Sequence, residues 1–154
     1  ISIGVAGYPE THPEASSQEE DITNLSRKVQ SGADFITTQL FFDNQAYFRF
    51  VEDCREADIN IPVIPGILPV LNLPQVRRFC EMCQAALPNE LEKSLLDTGE
   101  NKEAARDAGI DWAHNQVSDL LGKGAPGFHL YILNRARAIA KLTERLIGEG
   151  LIEA

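Results

Sequence analysis

Four short apolar segments, each followed by a helical pattern, constrain the fold more than any other feature of this sequence. The predicted strands cover residues 1–7, 34–42, 61–69 and 128–133. The predicted helices cover about 17–31, 44–57, 72–86 and 102–121, with a short helical segment after residue 88 and a last helix from residue 134. Every crossover contains a helix, so we expect a parallel sheet with right-handed connections.

Four βα units in one chain predict an α/β fold of the (βα)8 TIM barrel type, in which eight parallel strands close into a ring. Four units make half of such a barrel, and 154 residues fall short of the roughly 250 that a complete one needs. The pattern begins directly in a strand, without an initiator Met. We therefore expect residues 1–154 to form a single domain that lacks its N-terminal part.

Charge and composition exclude several classes of partner. A net charge of −9 argues against sequence-independent nucleic-acid binding, which requires a basic surface. No apolar run approaches the roughly 20 residues that span a bilayer, so we expect no membrane partner and a cytoplasmic location. Cys80 and Cys83 form a lone C-x-x-C within a helical pattern, which favours core packing over a zinc or redox site, and no metal is predicted.

Candidate ligand-binding residues follow the strands, because parallel α/β folds bind ligands beyond the carboxyl ends of their strands. They are Tyr8, His12, Gln39, Asp43, Asn72, Gln75, Asn134 and Arg135. No lysine occupies a strand end, which disfavours a Schiff-base enzyme. Neither a nucleophile elbow nor a metal-binding histidine pair is present. Amides, aromatic rings and a cation suit a stacked, hydrogen-bonded heteroaromatic ligand.

The first predicted helix and the second strand leave alternatives open. Asp21, Asn24 and Lys28 share one helix face, with Arg27 close by. Periodicity alone favours a solvated surface there, and the alternative is a platform for a nucleotide, with acceptors for ribose and cations for a diphosphate. Gln39 lies in an apolar strand, where its amide needs a partner, and a ligand could supply one.

The third predicted helix and the first loop each carry an aromatic residue with two interpretations. Phe79 shares a face with Val76 and Cys83, which by spacing predicts a core position. His12 stands next to Pro13, where a loop histidine is ordinarily satisfied by backbone groups.

Four sequence blocks resemble the 5,10-methylenetetrahydrofolate reductase family. They are GVAGYPE and HPE in residues 4–14, the stretch from Lys28 to the motif TQLFFD at 38–43, PGILP at 65–69, and FH at 128–129 with LNR at 133–135. Each block lies at a predicted strand end, and the order and spacing hold over essentially the whole chain. The resemblance covers the C-terminal half of the family's catalytic barrel, strands five to eight.

Membership would imply a flavoprotein oxidoreductase of one-carbon metabolism and methionine biosynthesis. Such an enzyme takes hydride from NADH or NADPH onto FAD and passes it to 5,10-methylenetetrahydrofolate, giving 5-methyltetrahydrofolate. The resemblance implies FAD contacts at Ala6, Tyr8, His12, Ala15, Asp21, Asn24, Arg27 and Lys28. It implies contacts with the folate or nicotinamide substrate at Gln39, Gln75, Phe79 and Arg135.

The resemblance also implies what this chain lacks. In the family, the glutamate that protonates the folate lies on the first barrel strand, so no catalytic residue is expected here. We therefore expect the isolated chain to be inactive, and we expect its partners to be the missing N-terminal half of the barrel, the folate substrate and further copies of the protein. The alternative is a non-catalytic half-barrel that serves as a binding or assembly module.

Overall fold

The computed structural model of the chain describes residues 1–133 and 136–153 as an α/β fold with parallel strands. The strands are β1 (Gly4–Gly7), β2 (Phe35–Thr38), β3 (Val63–Ile64), β4 (Gly66–Ile67) and β5 (His129–Leu130). The helices are α1 (Gln18–Gln30), α2 (Asn44–Glu56), α3 (Leu73–Cys83), α4 (Asn89–Leu96), α5 (Lys102–Gly122) and α6 (Ala136–Gly148). The predicted order of elements and the parallel pairing are confirmed.

Strand pairing follows the order of the chain, with one interruption. β1 pairs with β2 and β2 with β3, all in parallel, and β4 pairs with β5 in a second ladder. The strand predicted over 61–69, whose prolines are unsuited to a continuous ladder, is present as two short strands divided at Pro65. Proline has no N–H for the ladder, whereas the Pro65 carbonyl accepts from the His129 N–H at 2.8 Å.

Local capping interactions explain where the helices begin. The side chains of Ser17, Asp43, Asn72 and Asn101 accept backbone N–H groups in the first turns of α1, α2, α3 and α5. The end of α3 differs from the prediction of residue 86. Gln84 adopts the left-handed conformation at φ 52° and ends the helix at Cys83.

The helices pack on the sheet through two apolar clusters. The larger cluster joins Ile36 of β2 to Leu25, Phe50, Val117 and Leu142 of four helices. The smaller joins side chains that follow β2 and β4 to α3, α4 and α5, and its members include Phe42, Leu68, Val76, Leu91 and Ala105. Among the described residues, no helix is both long enough and apolar enough to cross a membrane.

β1 is an edge strand of the three-stranded ladder, β5 is an edge strand of the two-stranded ladder, and apolar side chains next to both are exposed. Ile1 and Ile3 precede β1, and Ile132 and Leu133 follow β5. Exposed apolar residues at sheet edges are typical of surfaces that another chain segment covers.

Candidate functional site

Tyr8 and Gln39 lie next to each other at the carboxyl edge of the sheet. Gly7 and Thr38 are direct partners in the parallel ladder, and the Gln39 N–H donates to the Gly7 carbonyl at 2.8 Å. Tyr8 and Gln39 therefore follow neighbouring strands at the same level of the sheet. Both line one narrow cleft with Glu10 and Cys83, which as it stands has no room for a water molecule. This cleft, which we call the strand-end cleft, is lined by candidate residues from two separate strands.

The loop after β1 is held in place by a buried carboxylate. Asp21 is only 8% exposed, and its Oδ2 accepts from the backbone N–H of His12 at 2.9 Å. The ring of His12 packs edge-on against that of Tyr8, with centroids 4.4 Å apart. The Ala15 N–H in turn donates to the His12 carbonyl at 2.9 Å. Asp21 thus sets the path of the loop that carries Tyr8 and His12.

Polar groups of α1 form a shallow groove beside this loop. Asn24 and Arg27 line it, and the Arg27 guanidinium donates to the Asn24 Oδ1 at 3.1 Å. Glu19 and Glu20 line the same groove, so its charge is mixed. Lys28 is exposed on α1, and Ala6 is exposed on β1.

The side-chain amide of Gln39 is half-buried, and its oxygen is bound to the backbone. Its Oε1 accepts from the Leu40 N–H at 2.9 Å, which fixes the direction of the amide. Within residues 1–133 and 136–153, its Nε2 makes no hydrogen bond. Gln39, which lines the strand-end cleft, therefore has a side-chain donor without a partner among those residues.

Gln75 and Phe79 lie one turn apart on α3. The Gln75 Oε1 accepts from the Leu71 N–H at 2.8 Å, and its own N–H donates to the Asn72 side chain at 2.9 Å, so both groups shape the start of the helix. Phe79 packs against the smaller apolar cluster but remains partly accessible.

The predicted substrate residue Arg135, like Asn134, lies outside the described residues.

Glu10 is a residue that the sequence analysis did not select. Its Oε1 accepts from the Ala86 N–H at 3.0 Å across 76 positions of sequence, and its Oε2 is buried without a partner in the described part of the chain. Burial raises the pKa of this carboxyl, and the nearby charge of Asp43 raises it further. No local pattern predicts this contact, because Ala86 belongs to a distant loop.

The three cysteines behave as packing residues. Cys54 is buried, and Cys80 and Cys83 are partly buried against the smaller cluster. Burial raises the pKa of the thiols of Cys54 and Cys80 to about 12 and about 11, which keeps them protonated and unreactive at neutral pH. The described residues contain no cluster of three or more groups suited to a metal ion.

The arrangement is that of α/β proteins with parallel strands, which bind ligands beyond the carboxyl ends of the strands. Comparison with known proteins gives the family. Residues 1–147 match the methylenetetrahydrofolate reductase family, and the chain belongs to that family.

Individual relatives agree with this assignment. The chain is 41% identical to 5,10-methylenetetrahydrofolate reductase of Escherichia coli over 88% of its length and 46% of that protein. It is 39% identical to methylenetetrahydrofolate reductase (NADH) 1 of Arabidopsis thaliana over 99% of its length and 27% of that protein. The chain thus spans less than half the length of these relatives.

A solved structure shares the fold. It is an uncharacterized protein from Clostridium thermocellum that binds two copies of 5-methyl-5,6,7,8-tetrahydrofolic acid. The TM-score is 0.59 at 16% identity, covering 94% of this chain and 53% of that one. At this identity the likeness concerns the fold alone.

Proposed function

We propose that this chain is the C-terminal half of the catalytic (βα)8 barrel of a methylenetetrahydrofolate reductase, with the whole of residues 1–154 in that one domain. The complete protein would reduce 5,10-methylenetetrahydrofolate to 5-methyltetrahydrofolate with hydride from NADH or NADPH. The observation that carries the proposal is the strand-end cleft, where Tyr8 and Gln39 meet in a chain of this family.

The residues proposed for FAD fit a nucleotide in their chemistry. Arg27 and Lys28 offer exposed cations for a diphosphate, and the Asn24 side chain offers polar groups for a ribose. Tyr8 and His12 present aromatic rings, and Ala6 and Ala15 carry only methyl side chains. Asp21 would act mainly by holding the loop, because its Oδ2 already binds the His12 N–H.

FAD, when bound, would carry hydride between the nicotinamide and the folate. The substrates would take one place in turn, and an amide suits this alternation because it can both donate and accept. Gln39 would offer its unpaired Nε2, Phe79 would stack against an aromatic ring of the substrate, and Gln75 and Arg135 would bind its polar groups.

The chain would act only together with the rest of the barrel. The relatives extend well beyond the matched region, and the family's proton-donating glutamate is expected there. Ile3 beside β1 and Ile132 after β5 are 54% and 46% exposed, which suits edges that continue into further strands. We propose an active homo-oligomer of complete chains in the cytoplasm and no activity for this chain alone.

A second candidate function is a non-catalytic half-barrel that assembles with a copy of itself. The same exposed edges support it, because an open parallel edge is a template for association. In that case the polar strand ends would hold a flavin weakly or not at all.

An experiment on two lengths of the protein separates these functions. The complete protein and the 154-residue chain are each purified, titrated with FAD, and assayed with NADH or NADPH and 5,10-methylenetetrahydrofolate. The reductase proposal expects bound flavin and 5-methyltetrahydrofolate from the complete protein, and none from the chain alone. A colourless complete protein without turnover, together with a stable dimer of the chain, would favour the assembly module.

A further inference from the structure

A second cleft, of about 480 Å³, adjoins the smaller apolar cluster through Phe42 and Trp112. We call it the Trp112 cleft. Its walls come from the β2–α2 connection, the start of α4 and the middle of α5, and they include Phe42, Asp43, Pro88, Glu90, Trp112 and Gln116. None of the residues proposed for FAD or folate lines it, so binding in this cleft does not depend on the proposed reductase function.

Hydrogen bonds between α5 and the end of the second βα unit hold the cleft open. The Trp112 indole N–H donates to the Phe42 carbonyl at 3.2 Å, which fixes the ring against the β2–α2 connection. Asn44 donates from its Nδ2 to the Gln116 carbonyl at 3.1 Å and to the Asp119 carboxylate at 2.8 Å. These bonds join α5 to the β2–α2 connection with no ligand bound, so most of the wall is preformed.

Gln116, which lines the Trp112 cleft, has a side-chain oxygen without a hydrogen-bond partner in the described part of the chain. The residue is 5% exposed, and its Nε2 donates to the Phe41 carbonyl at 3.2 Å and to the Asn44 Oδ1 at 3.3 Å. Rotating the amide would bring its oxygen against two other acceptors, so the observed orientation is the favourable one. Its Oε1 is buried and has no hydrogen-bond partner in the described part of the chain. A ligand N–H could supply that partner after a small adjustment of the wall.

The charged side chains that line the cleft are both acidic. Asp43 uses Oδ1 to cap α2 through the Gln45 N–H at 2.9 Å, and its Oδ2 makes no hydrogen bond within residues 1–133 and 136–153. Glu90 is exposed in the first turn of α4. Among the described residues that line the cleft, none is a lysine or arginine. The electrostatic potential of the cleft therefore favours a cation and disfavours an anion.

We propose that the Trp112 cleft binds a small organic cation that has a planar apolar body and at least one N–H donor. The body would lie against Trp112, Phe42 and Pro88, and the cation would be attracted by the indole face and by the carboxylates of Asp43 and Glu90. The N–H donor would satisfy the Gln116 Oε1. A ligand of this class, such as a ring-bearing ammonium, matches the wall in shape, charge and hydrogen bonding.

Four probes of similar size test these requirements on the purified complete protein. Benzylamine, as its ammonium ion, has the ring, the charge and the donor; benzyl alcohol lacks the charge, benzoate reverses it, and benzyltrimethylammonium lacks the N–H. Binding is measured by isothermal titration calorimetry. It is also followed by indole fluorescence, and a Trp112→Phe variant identifies the part of the signal that Trp112 contributes.

We expect benzylammonium to bind saturably and the other three probes to bind roughly five-fold or more weakly, as expected from loss of a charge or donor at a partly exposed site. Equal affinities for the ammonium, the alcohol and the carboxylate would overturn the proposal. So would a failure of benzylammonium to saturate, or a fluorescence change that persists unaltered in the Trp112→Phe protein.

Matched variants then test the position of the site. Glu90→Gln and Asp43→Asn each remove one charge, and Asn still caps a helix; each is expected to weaken benzylammonium roughly two- to five-fold. Glu56→Gln removes an exposed charge at the far end of α2 and should leave the affinity unchanged. If Glu56→Gln weakened binding as much as Glu90→Gln, only the net charge of the protein would attract the probe and the assigned site would be wrong.

Discussion

The hydroxyl oxygen of Thr38 accepts a hydrogen bond from the backbone N–H of Gly66 at 2.9 Å. Thr38 is the last residue of β2, and Gly66 begins β4, just after Pro65 interrupts the ladder. The carbonyl of Thr38 also accepts from the Tyr131 hydroxyl at 2.9 Å, which ties β2 to the segment after β5. One buried threonine thus connects the three strands where the regular pairing stops.

Replacing Thr38 with valine should destabilise the fold. Valine has nearly the same shape but no acceptor, so the Gly66 N–H would be buried without a partner. The free energy of unfolding is expected to fall by about 1–3 kcal/mol, measured by urea denaturation. Thr23→Val, on the exposed face of α1, is the control and should change it by less than about 0.5 kcal/mol. Equal effects of the two variants would contradict the structural role of Thr38.

Replacing Gly66 with alanine should also destabilise the fold, for a steric reason. A Cβ at this position would lie 2.3 Å from the Thr38 carbonyl oxygen and 2.6 Å from the Tyr131 ring. Backbone atoms cannot move aside easily, so we expect a loss of about 1–3 kcal/mol. Gly122→Ala is the control, because a Cβ there meets no atom within 4 Å. A melting temperature that is unchanged in Gly66→Ala would contradict the close approach of Gly66 to Thr38 and Tyr131.

Glu10 should make stability depend on pH. Burial raises the pKa of its carboxyl in the folded state, so the folded chain holds this proton more tightly than the unfolded chain. Its contribution is fully present below the ordinary glutamate pKa of about 4.3 and is lost as pH rises through the folded-state pKa. Glutamine can still accept the Ala86 N–H but never ionises.

The stability of Glu10→Gln relative to the wild type is therefore expected to increase as pH rises above about 4.3 and then to level off. Urea denaturation at a series of pH values measures this difference. Glu14→Gln removes an exposed carboxylate from the same loop and serves as the control. A difference between Glu10→Gln and wild type that stays constant from pH 4 to pH 8 would contradict the buried position of this carboxyl.

The proposed nucleotide platform predicts that cations on α1 bind FAD. Replacing Arg27 and Lys28 together with glutamine removes two charged donors, each worth about 1.5–3 kcal/mol when bound to an anion. The dissociation constant of FAD from the complete protein should rise at least roughly tenfold, measured by quenching of flavin fluorescence. Arg106→Gln, exposed on α5, should have no effect. An unchanged FAD affinity in the double variant would restore the solvated-surface interpretation of α1.

The strand-end cleft predicts that Gln39 contacts the folate. Gln39→Leu keeps the approximate size of the side chain but removes the free Nε2 donor, so a polar group of the ligand would lose its partner. The affinity for 5-methyltetrahydrofolate should fall roughly tenfold, as for one lost hydrogen bond of about 1–1.5 kcal/mol. Calorimetry on the complete protein measures it, with Gln45→Leu on the exposed face of α2 as control. Equal affinities of wild type and Gln39→Leu would remove Gln39 from the site.

Helix starts were predictable because their causes lie within a few residues of one another. Ser17, Asp43 and Asn72 each cap the turn that directly follows them, so spacing alone located α1, α2 and α3. Strand ends were less predictable. The apolar run 34–42 continues for four residues beyond β2, because Leu40 and Phe42 are buried by packing against helices and not by pairing in the sheet.

Within the site, the sequence indicated which strand ends would converge, since parallel strands bring their carboxyl ends to one edge. The sequence did not reveal the register that places Tyr8 beside Gln39. Nor did it reveal that the side chains of Asp21 and Gln75 accept backbone N–H groups. The sequence identified neither Glu10 nor Gln116 as a site residue, because no local pattern predicts that a side-chain oxygen will be buried without a partner in the described part of the chain.

The amino-acid sequence by itself determined the repeated βα order, the helix starts and the family, since each depends on short-range periodicity, capping or residue identity along the chain. Tertiary structure alone decided that Glu10 reaches Ala86 and that Trp112 and Asp43 share a cleft. Those contacts join groups up to 76 positions apart, and their free energy depends on distances and burial that only the packed chain defines.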